Sequence, residues 1–174
     1  MQTTKPAAPV AVHVSGPETN ESYWQPVPAN GHIDVLLAPH ITGMENPFAM
    51  GTQSLAPGGY VREHSHPDNE EVLLILEGRG RAVIEGKEYK LVPGSKVFLP
   101  RGVRHMFINE GEAHMKWVWL IVPNGLEDFF RLIGRVRAAG DDTPVNFPRP
   151  ENVLEIEQAT VFAAQPEDQR QPGT

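Results

Sequence analysis

The chain has 174 residues, 40% of them hydrophobic and 21% charged, with 22 acidic against 15 basic side chains and a formal net charge of −7. This balance is ordinary for one globular unit with a single core; with no Lys/Arg cluster it excludes a nucleic-acid footprint, and with no long apolar run it excludes a membrane-spanning helix. Cysteine is absent, which removes disulfides, thiolate metal sites and a cysteine nucleophile, so any metal must be held by His, Asp, Glu or backbone oxygen.

Residues 1–20 are rich in Pro, Thr and Ala and are expected to be flexible. They contain no continuous apolar core of the kind a secretion signal needs, so a cytoplasmic location is expected. The 17 Pro and 16 Gly of the chain then cut it into short runs: HIDVLLA, FAMGTQSLA, GYVREHSH, EVLLILEG, RAVIEG, KEYKLV, KVFLP, VRHMFIN and HMKWVWLIV. Each reads as a strand, close enough to the next to pair as a hairpin, and EGKE at 85–88 carries the Gly of a tight turn. Many short strands with regular turns predict an all-β sandwich or barrel. After Pro123 the period changes. Leu126, Phe129, Phe130 and Ile133 fall on one helical face, Asn124 and Glu127 have the spacing of a capping pair, and Gly134 stands where the helix should stop. A second short helix is expected in PRPENVLEIEQATVF, starting at Pro150. Residues 21–163 are therefore expected to form a single domain whose part from 124 to 163 is helical, with a flexible tail at 164–174.

Chemistry concentrates in REHSHPDNEEVLLILEG, residues 62–78. Alternate side chains of a strand share a face, so His64 and His66 should point the same way, together with Tyr60 and Arg62. On the following strand Glu71 shares a face with Leu73 and Ile75, opposite Val72, Leu74 and Leu76. Two imidazoles and a carboxylate from the neighbouring strand can thus converge; Glu70 competes for the carboxylate role but falls on the other face. A further candidate is His105, at the start of a strand-like run that ends at Asn109 and follows Gly94, Pro100 and Gly102. Gly78, Gly94 and Gly102 read as turn residues, Pro100 as a strand end and Asn109 as a turn tie. His13, His32, His40 and His114 have no partner in the pattern and read as structural or surface residues.

The two stretches read G(x)5HxH(x)4E(x)6G, from Gly58 to Gly78, and G(x)5PxGxxHxxxN, from Gly94 to Asn109. They resemble the two motifs of the cupin superfamily, without departure at any motif position. The resemblance implies a double-stranded β-helix (jelly-roll) barrel of two facing sheets with a metal in its mouth, held by His64, His66, Glu71 and His105. Three imidazoles and one carboxylate suit a divalent transition metal, iron, manganese or nickel foremost, with copper, cobalt or zinc also accepted. An octahedral ion so held keeps two positions for water, oxygen or a chelating substrate.

Around that set, Tyr60, Arg62 and Phe107 are the candidate substrate contacts; the competing readings are a salt bridge for Arg62 and barrel packing for the aromatic side chains. Either Trp117 and Trp119 or Val118 and Leu120 face inward. The leading expectation is a dioxygenase that cleaves a carbon–carbon bond of a small aromatic, flavonol-like or enolisable substrate, with Glu71 as base as well as ligand. In outline PNGLEDFFRLIG also resembles the extension of small quercetin-dioxygenase-like cupins. The alternatives are a non-oxidative lyase, decarboxylase or isomerase using the metal as a Lewis acid, and a binding module without turnover. The expected partners are a small-molecule substrate and a second copy of the chain, since Val72, Leu74 and Leu76 form an apolar outward set; the N-terminal strands or the C-terminal helix would cover it equally well.

Overall fold

Alternation is clearest in the run from Met115 to Val122, where Met115, Trp117, Trp119 and Ile121 are buried and the residues between them are not. Aromatic and branched side chains at every second position suit a strand buried on one side. This strand (β10, Met115–Val122) pairs antiparallel with β5 (Glu70–Glu77) on one flank and β3 (Ala49–Leu55) on the other. Trp119 packs against Gly51 of β3, where an added Cβ would stand 2.4 Å from the indole. In β5 the inward set is Glu71, Leu73 and Ile75, so a carboxylate shares the row of the core side chains.

The structure, a computed structural model, describes residues 11–163. Residues 1–10 of the segment predicted to be flexible and the predicted tail 164–174 lie outside them; within 11–20, Pro17–Thr19 forms one 3-10 turn. The strands make two antiparallel sheets. The larger has the order β11 (Arg135–Val136), β1 (Glu21–Trp24), β2 (His32–Leu37), β3, β10, β5 and β8 (Lys96–Leu99); the smaller has β4 (Tyr60–His64), β9 (His105–Asn109), β6 (Gly80–Ile84) and β7 (Lys87–Leu91). The fold is the all-β jelly roll that the sequence predicts, and all nine predicted strands are present. β1, β11 and the one-turn helix α1 (Pro39–Thr42) were not predicted; each is too short to show a period.

Among the described residues, sequence neighbours pair only at β1–β2, β2–β3 and β6–β7, fewer than expected. β6 and β7 form the predicted hairpin, with Glu85 and Gly86 both in the left-handed region. β4 and β5, by contrast, lie in different sheets: β4 pairs with β9, and β5 with β10 and β8. From β3 to β10 the chain crosses between the sheets at every step except the β6–β7 hairpin, and that brings the two motifs together.

The predicted helical face is buried as expected: Leu126, Phe129, Phe130 and Ile133 of α2 (Leu126–Ile133) all join the core. The capping pair works in reverse. Gly125 is the N-cap, and the Glu127 carboxylate accepts from Gly125 N and Asn124 Nδ2, both at 2.7 Å. The last helix, α3, runs from Val153 to Ala159; Pro150 starts the turn before it. Among the described residues no helix is long and apolar enough to cross a membrane.

Candidate metal centre

His64 ends β4, His105 begins β9 beside it in register, and His66 lies two residues beyond the end of β4. The expectation that both motif imidazoles ride on one strand is therefore corrected. β4 bulges between Val61 and His64, which breaks the simple alternation, and the chain leaves the sheet before His66. Gly102 N donates to His66 O at 2.8 Å and anchors the segment at that point. Glu71 also arrives differently: it comes from the opposite sheet, not from a paired neighbour, and it is buried while Glu70 is exposed.

The three imidazoles form one cluster, with ring centroids 4.1 Å apart for His64 and His105, 4.9 Å for His64 and His66 and 5.4 Å for His66 and His105. One ring nitrogen from each lies within 4.8 Å of the others. Glu71 stands beside this trio, its Oε2 3.4 Å from His105 Nε2 and 3.6 Å from His66 Nε2. Each Nδ1 is already used: it faces a backbone carbonyl, Arg62 O at 2.8 Å for His64, Val161 O at 2.9 Å for His66 and Val103 O at 2.9 Å for His105. A carbonyl only accepts, so each Nδ1 carries the proton and each Nε2 presents a lone pair. The Nε2 atoms of His66 and His105 and Oε2 of Glu71 are buried without a hydrogen-bond partner. Acceptors converging on acceptors need a cation between them, and this donor set fits a divalent metal. The three histidines can hold a metal ion.

Electrostatics agree with that arrangement. Burial, reinforced by His105 and His66, pushes His64 well below its ordinary pKa and keeps the ring neutral. Burial alone would raise Glu71; His105 and His66 outweigh that and hold its carboxyl well below the usual range when their Nε2 atoms carry a proton, the metal-free alternative to the lone-pair arrangement.

The centre opens into a cavity of about 80 Å³ lined by both sheets and by α2 and α3. Tyr60, Arg62 and Phe107, the predicted contacts, all line it. Tyr60 is partly exposed, and Phe107 is buried between His105 and Trp117, at centroid distances of 5.7 Å each. Arg62 makes the salt bridge that was the competing reading, although its partner is Glu157 of α3 and not a barrel acid. Of the two inward options on β10, the tryptophans face in. Asn109 is a tie, as expected: its Nδ2 lies within 3.0 Å of the carbonyls of Leu55, Ala56 and Ala113.

Several cavity residues were not foreseen. Gln53 Nε2 donates a hydrogen bond to Gln25 Oε1 at 2.6 Å. Arg149, Glu157 and Phe162 come from the C-terminal segment, far along the chain, and Phe162 packs 5.1 Å from His64 and 5.0 Å from His66. No local pattern marks them; only the buried acid at Glu157, next to Ile156 on the inner side of α3, breaks the expected polar face.

Comparison with known proteins agrees with the motifs. A family described as "Cupin domain" matches residues 51–121. The chain is 31% identical over 122 residues to the tetracenomycin polyketide synthase protein TcmJ of Streptomyces glaucescens, covering 70% of this chain and 76% of that one. It is 31% identical over 93 residues to polyketide synthase CurC of Streptomyces cyaneus, covering 53% of this chain and 60% of CurC. Among solved structures, the polyketide cyclase RemF of Streptomyces resistomycificus superposes with a TM-score of 0.56 at 19% identity, covering 64% of this chain and 79% of RemF, a likeness of fold. With both motifs intact, the strand exchange that unites them, and a relative matched over most of its length, the chain belongs to the cupin superfamily.

Proposed function

We propose that the protein is a metal-dependent enzyme acting on a small, enolisable, polyoxygenated substrate of polyketide or polyphenol type, bound as a chelate at the cavity floor. The observation that carries this reading is the convergence of unpartnered imidazole nitrogens and a carboxylate oxygen on one point of an otherwise largely apolar cavity. His64, His66 and His105 through Nε2, with Glu71 through Oε2, are the residues that would hold the ion, with iron, manganese or nickel foremost and copper, cobalt or zinc accepted. When bound, such an ion acts as a Lewis acid that polarises a carbonyl and raises the acidity of the neighbouring C–H or O–H.

The chain's own residues supply the rest. Phe107, Trp117, Phe129 and Phe162 wall the cavity, hold a planar substrate and exclude water. Glu71, kept ionised, is the base that takes a proton from the bound substrate. Arg62 sets a positive charge beside the anion so formed, and Tyr60 borders the entrance. Similarity to TcmJ and CurC, both named as polyketide synthase proteins, favours the non-oxidative outcome: a poly-β-carbonyl chain enolises readily, and ring closure, decarboxylation or isomerisation follows proton removal. The second reading is a dioxygenase that cleaves a carbon–carbon bond, favoured by the nitrogen-rich donor set and aromatic walls.

One experiment separates them. Protein loaded singly with Fe(II), Mn(II), Ni(II) or Zn(II) is incubated with aromatic β-diketones and flavonols, with and without oxygen, and products are weighed by mass spectrometry. A product isomeric with its substrate, or lighter by water or carbon dioxide, formed under anaerobiosis supports the first reading. Oxygen uptake matched to product selects the second. Tight binding without turnover under either condition would sink both and leave a binding module.

We further propose a homodimer. Val72, Leu74, Leu76, Phe98 and Val122 stand 40–59% exposed on the outer face of β10, β5 and β8. The register sets Val72 beside both Phe98 and Leu120, so the side chains form one continuous apolar surface. Neither α2 nor the described N-terminal strands cover it.

A further inference from the structure

Besides the metal centre, the cavity wall holds a second polar group that the centre does not use. Glu157 Oε1 accepts from Arg62 Nη2 at 3.0 Å and also from Arg149 Nη2. The other oxygen, Glu157 Oε2, is buried with no partner, and so is Nη1 of Arg149. The Glu157 side chain is only 6% exposed and that of Arg149 16%. All three residues line the same cavity as His64 and Glu71. An acceptor and a donor left unpaired this deep are costly unless something completes them.

We propose that Arg149 and Glu157, with Arg62 steadying the carboxylate, form a subsite for a neutral hydroxyl group, phenolic or enolic, on the substrate whose other end chelates the metal. The inference deepens the enzymatic reading above and rests on it. A hydroxyl carries one donor and two acceptor lone pairs, so a single group donates to Glu157 Oε2 while accepting from Arg149 Nη1. A carboxylate satisfies the arginine but has no proton for Glu157 and meets its negative charge. An ammonium satisfies Glu157 but meets two guanidinium groups, and a hydrocarbon satisfies neither. The subsite therefore selects polyhydroxylated substrates over carboxylated ones. Arg62 is two residues before His64 on β4, about 7 Å along the strand, so the hydroxyl sits within one ring or two of the chelated oxygens.

The subsite is delivered by the C-terminal segment, which also touches the metal-side histidines. Arg149 precedes α3 and Glu157 lies within it. Past its end, Val161 O faces His66 Nδ1 and Ala163 N donates to Ser65 O, both at 2.9 Å. Recognition of the remote hydroxyl and orientation of a metal-side imidazole thus belong to one piece of chain.

The test uses full-length protein loaded with Co(II), whose visible spectrum reports chelation directly. The probes are 1-hydroxyanthraquinone, which chelates through its hydroxyl and adjacent carbonyl, its 6-hydroxy and 7-hydroxy derivatives, and its 6-carboxylic and 7-carboxylic acids. At least one dihydroxy probe should bind about tenfold or more tightly than the parent, as a charge-assisted hydrogen bond warrants, and neither acid should bind more tightly than the parent. In Glu157→Gln and Arg149→Met the advantage should shrink to under about twofold, while the parent's affinity and the cobalt content stay near wild type and the melting temperature falls, because each change breaks a buried ion pair. Equal binding of all five probes, or a hydroxyl preference that survives in both variants, overturns the subsite and leaves chelation standing. A parent compound that fails to perturb the cobalt spectrum overturns the chelate reading, and the subsite with it.

Discussion

At the scale of single residues, the decisive atoms are the three Nδ1 nitrogens, because the carbonyls of Arg62, Val161 and Val103 fix the tautomer of every imidazole in the centre. Purified without chelators, the protein should carry close to one equivalent of a divalent metal, and His66→Ala should lose nearly all of it, measured by elemental analysis of both. Burial, with His105 and His66 beside it, makes His64 a source of acid sensitivity in the metal-free protein. His64 in the folded state resists protonation below its ordinary value of 6.5, while the unfolded chain takes up the proton at that value. The unfolded state therefore binds more protons in this window, and stability rises with pH. Melting temperature should fall as pH drops below about 6.5, and His64→Asn should flatten that slope; an unchanged slope would refute the assignment. Away from the centre, Asn109 ties three carbonyls and accepts from Gly111 N at 2.9 Å. Asn109→Ala removes four hydrogen bonds to buried or partly buried backbone groups, and a loss of roughly 2–4 kcal/mol in urea unfolding is expected.

At the scale of elements, the C-terminal segment matters more than its position suggests. It is held on the barrel mouth by Ala163 N to Ser65 O and by packing of Phe162 on Phe129 at 4.3 Å. A tight fit of Val161 against Gly125 adds to this: a Cβ there would stand 2.7 Å from Val161 Cγ1. Because Val161 O orients His66, loosening the segment should weaken the metal centre from outside it. Ala163→Pro removes one backbone donor and no side chain of the centre. Metal affinity, read by competition with a chelator, is expected to drop about tenfold or more. Wild-type affinity in that variant would mean that the Gly102 anchor holds His66 without the C-terminal segment.

At the scale of the whole molecule, the apolar outer face of β10, β5 and β8 should set the solution state. The chain mass is 19.2 kDa, and sedimentation equilibrium should give twice that value. Phe98, the most exposed member at 59%, lies at the edge of the sheet. Phe98→Glu should yield a monomer that retains its metal content, since the face points away from the cavity. A monomeric wild type would refute the dimer.

Much of this molecule was legible in its sequence because period-two alternation is a local property. Glu71, Leu73 and Ile75 separate from Val72, Leu74 and Leu76 by simple counting, and Leu126, Phe129, Phe130 and Ile133 by a helical count. Spacing identified the motif residues for the same reason: turns and strand lengths are set by near neighbours. Sheet exchange was not legible, since which strand pairs with which depends on contacts between residues far apart in the chain. The β4 bulge that carries His66 off the strand, the arrival of Glu71 from the opposite sheet, and the return of Arg149, Glu157 and Phe162 to the cavity are all decided there. A segment that ends up beside residues some 90 positions earlier carries no local mark of that destination: His66 and Val161 meet across 95 positions, as do Arg62 and Glu157. The sequence by itself determined which side chains could serve as ligands and the strands on or beside which they lie; tertiary packing alone decided their convergence, their tautomers and what closes over them, because long-range burial and backbone pairing settle those together.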